Sequence, residues 1–300
     1  MRTVCLTAFL VLILATPALA DPDWKEVGQA LGKPGSELPG GIYRIGLPRF
    51  DLKVTLDGVN LKPAFALGGW VAFEQMGDRA MVMGDLVLTE NEVGPVMQKF
   101  EQSGIEIAAL HNHLLRSNPS TLYMHVVGQG DAVKLAQELH DGLALSKTPF
   151  AASAPLEATP AIEETMADLD KIMGAHASAN GGVVQYSFPR AETITDNGMP
   201  VPPAMGSAIA INFQLSGANK AAITGDFVLT ADEVNPVLQT LRKNGIEITA
   251  LHSHMLNEQP RLFFMHFWAN DDAKKLASGL RTALDKVNLA SQGSNSVAPS

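Results

Sequence analysis

Cysteine is almost missing from this 300-residue chain. There is one, Cys5, and it falls within a stretch that reads as a secretory signal. Arg2 supplies the charged start, Cys5 to Ala15 the apolar run, and Ala18-Leu19-Ala20 a small-residue cleavage site before Asp21. Without Cys5 the remainder can form neither a disulfide nor a thiolate metal site. Any transition-metal ligand must then be histidine, carboxylate or methionine. Long apolar runs are missing too: the signal's own run is too short to span a bilayer, and nothing later resembles a span. A lipid anchor would need cysteine where Asp21 stands. Basic runs are absent, with Lys+Arg 22 against Asp+Glu 31 and a net charge of −9; losing Arg2 makes the rest more acidic still. Such a chain is a poor partner for nucleic acid or anionic lipid. The expectation is a soluble exported protein, periplasmic or secreted, cleaved after Ala20.

What the sequence does have is an internal duplication. Gly84 to His113 aligns without gaps on Gly225 to His254, with 18 identities in 30 positions. The shared frame is G-D-x-V-L-T-x-x-E-V-x-P-V-x-Q, then G-I-E-I-x-A-L-H-x-H. Weaker matches continue outward at the same offset of 141: Pro48-Arg49 with Pro189-Arg190, Gly40-Gly41 with Gly181-Gly182, Leu135-Ala136 with Leu276-Ala277. A period this long means a doubled domain, since solenoid repeats are about 20–50 residues. The predicted division is a signal at 1–20, repeat domain one at 21–148, a linker at 149–160 rich in Ala, Pro and Ser, repeat domain two at 161–290, and a polar tail at 291–300.

Each copy opens with a helical pattern ended by glycine, at Trp24–Leu31 and Ile162–Met173. A Gly-Gly turn leads to a first strand, Ile42–Ile45 or Val183–Ser187, then to a meander of strand-like segments. Thr89-x-x-Glu92 and Thr230-x-x-Glu233 have the capping-box form. Val93, Val96, Met97 and Phe100, repeated as Val234, Val237, Leu238 and Leu241, line one helical face. Pro95 and Pro236 imply either a bent first turn or a helix that starts at the proline. Two strands follow, then a last helix at Asp131–Leu143 and Asp271–Leu284 with aspartate at its N-cap. Helix–strand–strand–helix on a mostly antiparallel sheet makes the fold class α+β, two homologous domains each with helices packed on a sheet.

Six of the eight histidines fall in two matched triplets: His111, His113 and His125, and, 141 residues on, His252, His254 and His266. Strand residues i and i+2 share a face about 6.6 Å apart, so each H-x-H projects together. Short connections centred on Asn118-Pro119 and Gln259-Pro260 predict a hairpin that brings the third histidine alongside. Three converging imidazoles suit zinc first, with copper or iron also able to accept them. Strand alternation assigns Ile105, Ile107, Ala109, His111 and His113 to one face, with Ile246 to His254 repeating it. It turns Met124 and Met265, which adjoin their histidines, to the opposite face as core. Asp85 and Asp226 are the candidate fourth ligands, a turn role being the alternative. Arg49 and Arg190 could hold an anionic ligand, but the stronger expectation is surface or ion-pair residues. His140 and His176 lie outside the repeat frame.

The strings G-D-[LF]-V-L-T-x-x-E-V-x-P-V, G-I-E-I-x-A-L-H-x-H-[LM]-L and [LF]-[YF]-M-H resemble the LppY/LpqO family of exported bacterial proteins. The third string is Leu122-Tyr123-Met124-His125 in one copy and Phe263-Phe264-Met265-His266 in the other. The resemblance covers essentially the whole chain after the signal and implies an exported, tandem architecture of unknown function. It implies no catalytic assignment.

Three functional classes follow. The first is metal binding, sensing or delivery, with one ion per triplet or one shared at the domain interface. The second is a metal-dependent hydrolase with an open three-histidine site, where Asp85 or Asp226 serves as general base; it requires a substrate-sized cleft. The third is a metal-free envelope interaction module with ordinary core histidines. The expected partners are a metal ion and a small molecule or envelope protein, without nucleic acid or a membrane span.

Overall fold

The structure is a computed structural model and describes residues 23–151, 160–217 and 219–291. The predicted signal, residues 152–159 of the predicted linker and residues 292–300 of the tail lie outside these. Domain one runs α1 (Trp24–Leu31), β1 (Ser36–Leu38), β2 (Ile42–Pro48), β3 (Thr55–Leu56), β4 (Val59–Asn60), α2 (Pro63–Ala66), β5 (Gly68–Met76), β6 (Arg79–Thr89), α3 (Glu90–Glu101), β7 (Ile105–His111), β8 (Thr121–Gly130) and α4 (Ala132–Leu143). Domain two begins α5 (Pro160–Met173), β9 (Ser178–Asn180), β10 (Val183–Phe188), β11 (Thr195–Asp196) and β12 (Met199–Pro200), with a 3-10 turn at Pro203–Met205 where domain one has α2. It continues β13 (Ile209–Leu215), β14 (Lys220–Leu229), α6 (Ala231–Lys243), β15 (Glu247–His252), β16 (Glu258–Gln259), β17 (Phe263–Asp272) and α7 (Ala273–Leu284).

Each domain is a six-stranded sheet with the same order, β1-β2-β5-β6-β8-β7 and β9-β10-β13-β14-β17-β15. Every described pairing is antiparallel, as expected for hairpin-connected strands. Helices cover one face. Val27 and Leu31 of α1, Val96 and Phe100 of α3, and Leu135 and Leu139 of α4 share a buried cluster with Ile45, Val71, Phe73, Val82 and Met124 from the strands. Met265 holds the matching core position in domain two. Among the described residues, no helix is long and apolar enough to cross a membrane.

The opposite sheet faces meet each other. Loop 49–67 of domain one places Val54, Leu56, Leu61, Phe65 and Leu67 in one cluster with Val183, Ala222 and Trp268 of domain two. Domain two reciprocates: Ile194, Val201 and Met205 cluster with Ile42, Ala72, Met81, Met83 and Val127 of domain one. Polar contacts seal the exchange. Asn212 Nδ2 donates to Phe65 O (3.1 Å), Gln214 Nε2 to Asn60 O (2.7 Å), and Trp268 Nε1 to Asp57 Oδ2 (3.0 Å). The result is a helix–sheet–sheet–helix sandwich with the site between the sheets.

Several local expectations need correction. The helix with the proline starts at Glu90 in domain one, so Pro95 sits inside it, as does Pro236 in α6. The N-cap of α7 is Asp272, whose side chain accepts from Lys275 N, rather than Asp271. Arg49 and Arg190 are ion-paired, but neither is a surface residue. Arg49 is fully buried, bridging Asp51 and Glu92 at 2.8 Å each and donating to Val87 O at 2.7 Å. Glu92 also accepts from Thr89 N and Lys147 N, so the capping carboxylate anchors the end of domain one. Arg190, Glu192 and Glu233 repeat the motif.

Removing one partner of a buried ion pair strands the other charge. Arg49→Met is expected to lower stability by about 3–5 kcal/mol in denaturant unfolding, and adding Glu92→Gln should recover part of the loss. A double variant as unstable as the single one would refute this account of the network.

Candidate metal centre

A single irregularity in β7 sets the direction of the histidines. Ile105 pairs with Gly128 and Ile107 with Val126, but a β-bulge then shifts the register so that Ala109 faces His125 and His111 faces Tyr123. Val126 belongs to the helix-side core and His125 does not. The bulge therefore separates the isoleucines from the histidines: Ile105 and Ile107 turn toward the helices, while Ala109 and His111 turn toward the other sheet. The expected continuous face from Ile105 to His113 does not exist. β15 carries the same bulge between Ile248 and Ala250, with the same consequence. Both connections expected to form the hairpins do so, with cis bonds at Asn118-Pro119 and Gln259-Pro260.

A row of paired residues crosses each sheet and ends at the third histidine. In domain one it is Gly46, Trp70, Asp85, His125 and Ala109. In domain two it is Ser187, Ala210, Asp226, His266 and Ala250.

The two triplets do not form separate sites; they interleave. The closest imidazole neighbours come from opposite domains: His111 and His252 at 3.5 Å between ring centroids, His113 and His266 at 3.7 Å, and His125 and His254 at 3.7 Å. Within a triplet the spacing is wider, 5.0 Å from His111 to both His113 and His125. His111 and His252 occupy equivalent positions of the repeat, and the other two contacts exchange under it. A local twofold axis thus passes between His111 and His252. Tyr123 stacks on His113 at 3.3 Å and Phe264 on His254 at 3.5 Å, closing the outer faces.

The ring nitrogens divide by role. His266 Nδ1 lies 2.9 Å from Gly225 O, and His111 and His252 Nδ1 lie 3.4 Å from Asn112 O and Ser253 O. A proton on Nδ1 leaves Nε2 as a lone-pair donor, the arrangement of a metal-bound histidine. All six Nε2 atoms, and Asp85 Oδ1, are buried and have no hydrogen-bond partner among the described residues. Gly225 leaves no room for a side chain within its own sheet, since a Cβ there would lie 1.9 Å from Ala210 O on β13.

Three sets have donor atoms within 4.8 Å of one another: His111, His113, His125 and His254; His111, His252 and His266; and Asp226, His254 and His266. Zn–N bonds of about 2.0–2.1 Å place tetrahedral donors roughly 3.3 Å apart, so a small side-chain contraction suffices. These groups could hold a metal ion, and two of the three draw on both domains. Asp85 Oδ1 is 3.7 Å from His125 Nε2. Both aspartates thus adjoin the cluster, as candidate ligands should. His140 and His176 stand apart, contacting Leu31 O and Asp170.

Burial holds the imidazoles neutral. His111 is pulled down to about 3, with His252 adding repulsion, and His252 to about 4. The other four lie well below the ordinary value for the same reason. Burial pushes Asp85 up to about 8, with Asp226 contributing, and Asp226 up to about 7. A cavity of about 870 Å³ opens onto His113, His125, His254, His266 and both aspartates.

The family model described as Domain of Unknown Function (DUF1259) matches residues 25–145 and again 167–286. No curated protein matches the sequence. One solved structure, the crystal structure of a trimeric bacterial microcompartment shell protein PduB, aligns over 85% of this chain and 91% of its own at 10% identity. Its TM-score of 0.22 carries no argument.

These shifts fix the pH response of the metal-free protein. Below pH 6.5 the unfolded chain takes up protons on the histidines and the folded protein does not, so stability falls with pH through the window from about 6.5 to 4. The aspartates act oppositely: their contribution is full below about 4 and is lost as pH rises through about 7 and 8. Six imidazoles outweigh two carboxyls. Chelated protein should therefore melt at its highest temperature near pH 7 and lose on the order of a few kcal/mol per pH unit below 6. A melting temperature that is flat from pH 7 to 4.5 would contradict this.

Proposed function

The chain belongs to the DUF1259 family, whose description assigns no activity, and we propose that it is an exported metal-binding protein with one centre shared by its two domains. The observation that carries this reading is the set of six buried Nε2 atoms, partnerless and facing one another across the interface. A cation accepts lone pairs from several of them at once, whereas a proton donor serves one at a time. Zinc leads, because the donors are neutral imidazoles with carboxylates close by and no thiolate; copper and iron accept the same set. The ligands would be drawn from His111, His113, His125, His252, His254 and His266. The signal-like residues 1–20 and the LppY/LpqO likeness support a periplasmic or secreted setting, with sensing, buffering or delivery as the use.

A shared centre and two separate ones differ in a single experiment. Metal content is measured on tag-free protein spanning residues 21–300, beside variants with all three histidines of one domain changed to alanine. A shared centre predicts loss of essentially all metal from either triple variant. Retention of half would establish one ion per domain, and absence of metal with no uptake on titration would overturn the proposal.

The cavity favours a second reading, a metal-dependent hydrolase. About 870 Å³ is within the range of small-molecule sites, and it reaches four of the histidines. A metal held there would supply Lewis-acid polarisation of a bound carbonyl or phosphoryl group. Asp226, held near pH 7 by burial, is placed to exchange a proton beside His254 and His266. Metal-loaded protein is expected to turn over at least one of a set of esters, phosphate esters and amides, and Asp226→Asn should abolish that turnover, with metal content of the same sample separating a lost proton carrier from a lost ligand. Inactivity across the set would leave binding as the function.

A further inference from the structure

The cavity wall is not symmetric, although the domains that build it are copies. Its domain-one side carries three cations, Lys33, Arg44 and Lys62, in a chain whose net charge is −9. None of the three forms an ion pair among the described residues. The guanidinium of Arg44 lies 3.9 Å over the ring of Trp70, which fixes its plane. Its Nη1 donates to Ala204 O across the interface. Its Nε and Nη2 donate to nothing among the described residues, although a guanidinium has five N–H donors in a rigid fork. Lys33 is only 7% exposed, and its Nζ has no hydrogen-bond partner among the described residues. Lys62 Nζ makes one bond, to Gly182 O at 2.9 Å, with two donors left.

Domain two has none of this at the matching positions. Where domain one has Arg44 on β2, domain two has Gln185 on β10, whose amide is occupied by Ala64 O and Asn212 Oδ1. Where Trp70 pairs with Asp85, Ala210 pairs with Asp226. Among the described residues the acidic groups lining the cavity are Asp85 and Asp226, beside the histidines; even counted as charged, they are outnumbered by the cations.

We propose that the cavity binds one small organic anion, a carboxylate or a phosphate, seated on the free edge of Arg44 with Lys33 and Lys62 around it. A planar, stacked guanidinium with an open edge is the standard partner of a two-oxygen anion, which it grips through parallel N–H···O bonds. Arg44 feels the charge of Asp85, and the anion supplies the further counter-charge that the three cations leave unmet. Arg44 and Trp70 lie on the same sheet face as Asp85 and His125, so the rest of the ligand extends along that row toward the histidines. This last point rests on the metal reading; the anion seat itself does not.

The test is isothermal titration of the full chain with inorganic phosphate and with succinate, at constant chloride, beside Arg44→Gln and Lys33→Gln. Arg44→Gln installs the residue that domain two uses at the same place. Lys33→Gln removes a buried, unpaired charge and leaves the domain contact at Ala204 intact, so it serves if the first variant folds poorly. Saturable binding of at least one probe is expected, at least tenfold weaker in a variant that melts like the parent. Phosphate alone or succinate alone identifies the preferred anion class. Binding of neither probe, or equal binding by parent and both variants, overturns the proposal. Metal analysis of the same samples keeps the two readings apart. Metal-free protein that binds succinate through Arg44 upholds the anion seat without the metal centre; metal-loaded protein that binds neither probe does the reverse.

Discussion

An imidazole nitrogen buried without a partner costs about 1–3 kcal/mol, and a domain's entire net stability is about 5–15 kcal/mol. Six such nitrogens meet between the two sheets, so their summed cost rivals the stability of the fold that creates it. The nearest charged groups among the described residues are Asp85 and Asp226, which burial pushes toward the protonated form, and two carboxyl protons are too few for six nitrogens. A bound cation would reverse the sign of the problem for the nitrogens it takes, four histidines in the largest set whose donor atoms lie within reach of one another. The rest of the architecture can be understood as what holds those acceptors in place.

Three devices do so, each duplicated. The β-bulges at Ile107/Ala109 and Ile248/Ala250 turn the end of a helix-facing strand toward the opposite sheet. The aromatic caps, Tyr123 and Phe264, wall the rings off from solvent. The exchanged loops, 49–67 and its counterpart near 191–206, each pack on the other domain. Because each loop covers its neighbour, neither sheet's inner face is complete alone. Covalent linkage of the two copies keeps the effective concentration of that partner high. The two copies differ at Arg44 and Trp70 against Gln185 and Ala210 and agree at the three histidines.

Much of this was legible in the sequence. The repeat offset, the capping boxes, the hairpin between the histidine strands and the core placement of Met124 and Met265 follow from local patterns with short-range physical causes. The histidine triplets were visible for the same reason, as residue types at strand spacing. What was not legible depends on contacts between residues far apart in the chain. A bulge is one unpaired residue and leaves no periodic mark, so alternation extended through Ala108 to the wrong face. The depth of Arg49 depends on Glu92, Asp51 and Val87 O converging on it, and a lone Pro-Arg pair carries no sign of that. Interleaving of the triplets depends on how two domains dock, and Pro- and Gly-rich loops such as 57–69 carry that information without a regular pattern. The three cavity cations are scattered through unrelated segments, and only the Arg44/Gln185 difference, read as a departure from the repeat, could have pointed to them.

The docking also changes what a histidine triplet means. Three imidazoles on one sheet face, taken alone, form an open site with water on the fourth side. Placed against a second copy, the same three acquire neighbours at 3.5–3.7 Å, and the fourth side becomes the other domain. Closure is nonetheless incomplete, since His113, His125, His254 and His266 still border the cavity. A centre closed by protein on the axis and reached by a cavity at its flanks can retain a metal while still meeting a ligand. Binding without exchange needs only the first property, and chemistry on a small molecule needs both.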